Sequence, residues 1–364
     1  MDDMQTELAA FKDPQLAHGL IDAIRELAPK SGATLMEVCG THTVSIARNG
    51  IRNLLPDGVK LSSGPGCPVC VTSNHDIDKV IALTRVPGAI IATFGDMTRV
   101  PGSTSSLLAE QAAGRDVRIV YSPLDALRLA QENPTSQVIF VGVGFETTTP
   151  LTAMAIKRAK AMGLHNFTVY GAHKNMPGAL EAIVADPQLH IDALILPGHV
   201  STIIGAEPYK FLAQKYGIPG VITGFEPNDI LQGIAMIVRQ LHEGRSDIEI
   251  AYARGVMSEG NTVALAAIDE VFETCTATWR GLGPIDGSGY KLRDEFAEFD
   301  AMQRFQPEVE PTVEHAGCRC GDVLRAHMRP DECPLFRKVC TPENPIGPCM
   351  VSSEGSCAAY YRYY

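Results

Sequence analysis

A chain of 364 residues with 45% hydrophobic and 20% charged side chains has the make-up of a globular protein, long enough for two or three compact units. Its net charge of -11, with no basic stripe interleaved with aromatics, disfavours nonspecific binding to nucleic acid or to an anionic membrane surface. No apolar run is long enough to span a bilayer: Ala89-Ile90-Ile91-Ala92 and Ala193-Leu194-Ile195-Leu196 are typical of the longest.

The stretch from Met1 to Phe11 is polar and acidic and lacks the basic start and apolar run of a signal peptide, so a cytoplasmic location is expected. In a reducing compartment ten cysteines argue for metal ligation or redox work rather than a disulfide framework. From Leu8 to Leu27 apolar residues recur at helical spacing, Leu16, Leu20, Ile21, Ile24 and Leu27, and Pro29 ends the helix.

From Ala33 onward, short apolar runs alternate with helix-like segments. The runs are 34–38, 59–62, 89–94, 117–121, 138–143, 167–170, 193–196, 220–223 and 248–252. Continuous apolar strands alternating with helices predict parallel sheets covered on both faces. Nine strands are many for one open sheet, so two α/β units are expected, divided near Asn133-Pro134, where proline ends a helix. Gly144-Phe145-Glu146 and Gly224-Phe225-Glu226, each after a strand, read either as a weak internal repeat or as chance. Beyond Gly255 the alternation fades. Trp279 to Tyr290 reads as glycine-rich turn, Asp294 to Phe305 as a short helix, and Pro307 to Pro311 as a linker into the tail.

In open parallel sheets, sites form where strands end and turn into helices. Cys39, in Val38-Cys39-Gly40-Thr41-His42-Thr43, follows the first strand. Cys67 and Cys70, in Gly64-Pro65-Gly66-Cys67-Pro68-Val69-Cys70, follow the second. A thiol at a helix N-terminus is stabilised as thiolate, which suits a nucleophile or a soft-metal ligand. A cysteine pair with this spacing either closes a disulfide or shares a metal. His42 reads as a ligand or acid-base partner of Cys39, or as a packed histidine. Glu146, followed by Thr147, Thr148 and Thr149, reads as a site carboxylate or as helix capping. His173 and His199 read as loop histidines, of which His199 has the better position.

The tail carries Cys318, Cys320, Cys333, Cys340, Cys349 and Cys357. Four thiolates hold either a tetrahedral zinc or a [4Fe-4S] cluster. Zinc knuckles use paired CxxC, which the tail lacks. The loops of twelve, six and sixteen residues between Cys320, Cys333, Cys340 and Cys357 suit a cluster better. The expected architecture is therefore α/β: two Rossmann-like parallel-sheet domains plus a C-terminal cysteine-rich iron-sulfur domain. Its segments are a helical 1–32, an α/β domain at 33–134 carrying Cys39, Cys67 and Cys70, a second at 135–254, and the cluster domain at 255–364.

Taken together, Met36 to Thr43, Gly64 to Cys70, Gly144 to Pro150, Pro197-Gly198-His199-Val200-Ser201, Cys333 to Phe336 and Met350 to Cys357 resemble the HypD family of hydrogenase maturation proteins. The resemblance runs from about Thr34 to the C-terminus. It implies a scaffold on which the Fe(CN)2(CO) unit of [NiFe] hydrogenase is assembled with the small chaperone HypC, with cyanide arriving from HypE. It also implies that Cys39 holds the iron and that Cys320, Cys333, Cys340 and Cys357 hold a [4Fe-4S] cluster. Cys67 and Cys70 would then lie between cluster and iron. Cys275, Cys318 and Cys349 have no role in that assignment. Many relatives carry a second histidine where this chain has Val44, so His42 alone is carried over. On this reading the protein is a redox-active assembly scaffold rather than a turnover enzyme. Two rivals use the same residues differently. A cluster-dependent disulfide reductase acting on a thioredoxin-like partner explains the dithiol and tail but leaves Cys39 and His42 idle. A zinc-stapled binding module predicts zinc and no visible absorbance.

Overall fold

A computed structural model describes residues 13–364. The part of the expected N-terminal helix before Asp13 lies outside the described residues. From Pro14–Leu27 the chain is helical: Asp13 caps it by accepting from the Gln15 N–H, and Pro14 takes the first position, where no N–H is needed. Ile21 and Ile24 are buried against Ile230 and Ile234 of the Pro227–Glu243 helix.

All nine expected strands form: β1 (Ala33–Glu37), β2 (Val59–Ser63), β3 (Ala89–Thr93), β4 (Asp116–Ile119), β5 (Gln137–Gly142), β6 (Phe167–Gly171), β7 (Ala193–Pro197), β8 (Gly220–Thr223) and β9 (Ile248–Ile250). They make two wholly parallel sheets, ordered β2-β1-β7-β8-β9 and β4-β3-β5-β6. The strands therefore do not divide into consecutive sets at 134/135. The second sheet, β3 to β6, is inserted between β2 and β7 of the first. The reason lies at β1, whose buried backbone needs partners on both edges. β2 supplies one, and β7 the other, with Leu35 opposite Ala193 and Glu37 opposite Ile195. The Gly-Phe-Glu echo follows the third strand of one sheet and the fourth of the other, so it marks no structural repeat.

Side chains of the first sheet alternate between two cores. Leu35, Ala193 and Ile195 meet the N-terminal helix on one face. Met36, Leu194, Leu196 and Ile222 point to the other, where they join Cys67, Cys70, Phe145, Met176 and Trp279. That second core welds the two sheets together. Each large apolar side chain buried there contributes roughly 1.5–3 kcal/mol.

The segment read as glycine-rich turn is instead the second half of an antiparallel hairpin, β10 (Phe272–Trp279) and β11 (Gly283–Leu292). Its glycines serve the turn and close packing: Gly281 and Gly283 adopt φ of 78°, where side chains are strained. The hairpin lies between the sheets, bridging to Thr72 through Trp279 and to Lys174 through Gly289. Trp279 stacks on Phe145 at 5.8 Å and donates its indole N–H to Ser288. Asp294–Phe299 and Ala301–Phe305 form a 3-10 turn and a short helix where one helix is expected. Among the described residues no helix is long and apolar enough to cross a membrane.

Candidate functional site

Each parallel sheet reverses strand order once, at β1/β7 and at β3/β5, and such reversals open a crevice at the carboxyl ends of the strands. In the first sheet Cys39 follows β1 and takes the N-cap position of the Gly40–Arg48 helix. The Gly64-to-Cys70 loop lies directly on it. Gly64 N–H donates to Glu37 C=O at 2.7 Å, and Gly40 N–H donates to Gly66 C=O at 3.0 Å. A Cβ on Gly66 would run into the backbone of Val38 and Cys39, so no other residue fits.

Glu37 holds this junction from below. It is fully buried, one carboxylate oxygen accepting from Cys39 N–H at 3.2 Å and the other from the Thr43 hydroxyl at 2.6 Å. Burial pushes its carboxyl up to about 7, against hydrogen bonds from Ser63 and Thr43 that favour the charged form. Burial also pushes the Cys39 thiol up to about 12, although the His42 N–H works in the opposite direction. The helix-terminus argument expects a thiolate here. Desolvation outweighs it, so the free thiol keeps its proton until a cation takes its place.

His42 is fully buried. Its Nε2 lies 2.9 Å from Gly224 C=O and 2.8 Å from the Thr223 hydroxyl. A carbonyl only accepts, so the proton sits on Nε2 and leaves Nδ1 with a free lone pair and no partner. Burial lowers the ring's pKa to about 4, so it is neutral near pH 7. Phe225 separates His42, at 5.0 Å, from His199, stacked at 3.9 Å. His199 is exposed at the mouth. The tail closes the other side. Glu354 accepts from the Thr41 hydroxyl at 2.7 Å, and a Cβ on Gly40 would lie 2.7 Å from that of Glu354.

Cys67 sits at the N-cap of the four-residue Pro68–Val71 helix, its sulfur accepting from Cys70 N–H at 3.3 Å. Both thiols are buried, 4% and 0% exposed. Burial alone would raise Cys70. The thiols of Cys349 and Cys67 donate to it, however, and with the Arg280 charge they bring it down to about 6. Cys67 moves well up, from burial and from its coupling to Cys70. Of the two, Cys70 is thus the readier thiolate and Cys67 the held thiol.

From Cys70 the sulfurs continue into the tail: Cys349 contacts Cys70, and Cys320 lies 2.8 Å from Cys349. All six tail cysteines line one small cavity. The wall between them is apolar, with Leu335, Phe336, Ile346 and Met350. Arg337 adopts the left-handed conformation (φ 57°), and the Leu335 carbonyl accepts from Cys340 N–H at 3.0 Å, which folds the loop between Cys333 and Cys340 back on itself. Ile346 N–H points at the Cys340 sulfur, 3.4 Å away, the kind of contact that tunes a sulfur-ligated centre. Among the described residues no three Cys, His, Asp or Glu side chains converge as on a single ion. An all-sulfur donor set around an apolar cavity is compatible with an iron-sulfur cluster.

The HypD family model, described as "Hydrogenase formation hypA family", matches residues 15–364. The hydrogenase maturation factor HypD of Rhodobacter capsulatus is 49% identical over 364 residues, covering 97% of each chain. That of Azotobacter vinelandii is 47% identical, covering 97% of this chain and 95% of its own, and that of Escherichia coli K12 is 44% identical, covering 97% and 96%. The chain belongs to the HypD family. It is thus a hydrogenase maturation factor by family, and that role implies partners in the maturation machinery.

Two of the residues singled out in the sequence lie apart from this HypD thiol line. Glu146 is buried in the second sheet's crevice, where one carboxylate oxygen accepts from Met176 N–H at 2.9 Å and the other has no partner. Burial pushes it up to about 7. His173 is buried beside Thr152, 3.2 Å from its hydroxyl, and burial lowers it to about 3. Sequence reasoning gave no role to Glu37, Phe225, Glu354 or Arg280. Only the first three stood in quoted motifs, and spacing cannot tell which motif residue turns toward another motif.

Proposed function

We propose that this HypD-family chain is the scaffold on which the Fe(CN)2(CO) unit of [NiFe] hydrogenase is assembled, with HypC as co-scaffold and HypE as cyanide donor. The observation that carries this reading is the unbroken succession of sulfur sites. The Cys39 loop is packed on the Gly64-to-Cys70 loop, Cys70 touches Cys349, and Cys349 opens onto the cysteine-lined cavity. Cys39 binds the cargo iron through sulfur, giving up its proton. His42, fixed by Thr223 and Gly224, offers an unprotonated Nδ1 inside the same crevice. Glu146 supports the site from the second sheet rather than touching the iron.

Cyanide released from a thiocyanate-type donor takes two electrons. In balance, R–S–C≡N plus the Cys67 thiol and the Cys70 thiolate gives R–SH, CN⁻ and the Cys67–Cys70 disulfide, whose later reduction restores the pair. A [4Fe-4S] cluster supplies one-electron transfer when bound. Cys333, Cys340, Cys357 and Cys320 are the set proposed to hold it. The contact between Cys320 and Cys349 makes Cys318, on the same cavity wall, the alternative fourth ligand. The rival reductase leaves Cys39 and His42 idle, although the Cys39 loop is packed directly on the dithiol loop.

The test is iron, zinc and labile sulfide on anaerobically purified protein, with infrared spectra after co-expression with HypC. Cluster iron with cyanide and carbonyl bands that vanish in Cys39→Ala, while the cluster stays, is the expected result. Bands that persist in Cys39→Ala refute the iron assignment. Cluster iron without bands favours the reductase, and zinc alone rejects both redox readings.

A further inference from the structure

Arg280, at the start of the hairpin turn, is a buried cation, 7% exposed. It is clamped just past the dithiol. Its backbone N–H donates to Val71 C=O at 2.9 Å, its Nε donates to Thr72 C=O at 3.1 Å, and its Nη2 donates to the Asn74 side-chain oxygen at 2.8 Å. All three acceptors are neutral. The other buried cation nearby, Lys174, has the Asp76 carboxylate 3.6 Å away. A guanidinium cannot shed its charge inside a protein, and a buried charge is costly unless an opposite charge answers it.

The surroundings of Arg280 hold sulfur. Gly281, its neighbour in the chain, packs backbone to backbone against Gly321, so the hairpin turn rests on the segment that begins with Cys320. Arg280 shares a groove wall with Cys318 and Cys320, and its charge bears on Cys70. The protein places its one carboxylate-free buried cation among those described between the dithiol and the tail cysteines.

We propose that Arg280 is the fixed counter-charge of the reduced dithiol, a positioning residue that sets the reduction potential of the Cys67–Cys70 couple. This rests on reading the pair as a redox couple. Oxidation of the pair turns one thiol and one thiolate into a disulfide, releasing two electrons and one proton to an external disulfide such as oxidised glutathione. The cation stabilises the reduced, anionic side of that balance alone. Removing it therefore makes the dithiol easier to oxidise and the couple more reducing.

The experiment equilibrates the full-length, anaerobically purified protein in glutathione redox buffers. The fraction of disulfide is read by alkylation and mass spectrometry of the peptide containing Cys67 and Cys70. Arg280→Gln is expected to favour the disulfide at least tenfold, about 30 mV toward more reducing for a two-electron couple. Arg280→Met serves as the neutral variant should Arg280→Gln not accumulate. Arg280→Lys keeps the charge and is expected to stay within twofold of wild type, as is Asn74→Ala, which removes the hydrogen bonds to Arg280, Ser103 and Val313 but no charge. Neutral variants that titrate like wild type overturn the proposal, and so does a lysine variant that shifts as far as the neutral ones. A wild-type pair with no reversible titration refutes the redox reading itself, an outcome distinct from the other two.

Discussion

The crevices of the two sheets are built on the same plan, a reversal of strand order with loops at the carboxyl ends, yet their loops differ in kind. At β1/β7 two loops interlock backbone to backbone, a buried carboxylate is satisfied on both oxygens, and the tail lays Glu354 across the opening. At β3/β5 the corresponding space is filled from within. Glu146 has one satisfied oxygen and one orphan, with Tyr290 and Tyr209 in electrostatic range and no cysteine bonded to it. Topology supplies the hollow. Chemistry depends on what the loops bring to it.

The comparison is broken most severely at its glycines. Gly66→Ala forces a Cβ into the Cys39 and Val38 backbone, which cannot rotate aside, so a loss beyond about 3 kcal/mol is expected from overpacking. Gly144→Ala meets only the Thr148 side chain, whose hydroxyl can turn away while its Cβ, 2.9 Å off, must shift slightly, and a smaller loss of about 1–2 kcal/mol is expected. Denaturant melts of the two variants measure both. Equal losses would mean that the interlocking of the first crevice has no special weight.

The carboxylates sharpen the contrast. Glu146 has its folded pKa raised to about 7, so the native state binds the extra proton. Its contribution is fully present below the unfolded pKa and is lost as pH rises through about 7. Glu146→Gln removes that loss. The variant should be more stable than wild type at pH 8 by up to about 3 kcal/mol, with the gain vanishing by pH 4. Glu37 is raised to the same value, but its oxygens accept from Cys39 and Thr43. There an amide keeps both contacts only if the Thr43 hydroxyl reverses from donor to acceptor, so Glu37→Gln should not gain stability at pH 8. Melting curves at pH 5 and pH 8 decide, and a Glu37→Gln variant that gains stability at pH 8 would erase the distinction. The smallest effect is at the lid. Thr41→Val loses one hydrogen bond to Glu354, about 1 kcal/mol, read as faster protease cleavage of the tail.

The strands were legible because parallel strands buried on both faces read as unbroken apolar runs, such as Ala89-Ile90-Ile91-Ala92-Thr93. Which strand lies beside which was not. The run at Ala193–Pro197 looks the same whether it opens a new sheet or completes an old one, and only packing beside β1 settles it. The hairpin escaped because Gly281, Gly283, Gly287 and Gly289 mask the period-two pattern that β10 carries in Thr274, Thr276 and Thr278. Cys39, Cys67 and Cys70 were found from residue type and position. Their burial was not foreseen, and so neither was the protonated state of Cys39. Cys349 fell outside the expected ligand set because linear spacing says nothing about its contact with Cys70 and Cys320.

The insertion of β3 to β6 between β2 and β7 also imposes an order of events on synthesis. The partner that Thr34 needs in Asp192 lies 158 residues downstream, and the Glu354 that covers Thr41 lies 313 residues downstream. At about 5–20 residues per second the ribosome takes roughly 15–60 s to cover that second interval. For that time Cys39 and the Cys67–Cys70 loop emerge without their lid. The nascent chain thus passes through a stage in which its most guarded thiols are open to solvent, oxidants and metal ions, and it is the late-made stretch from Cys349 to Glu354 that shuts them away.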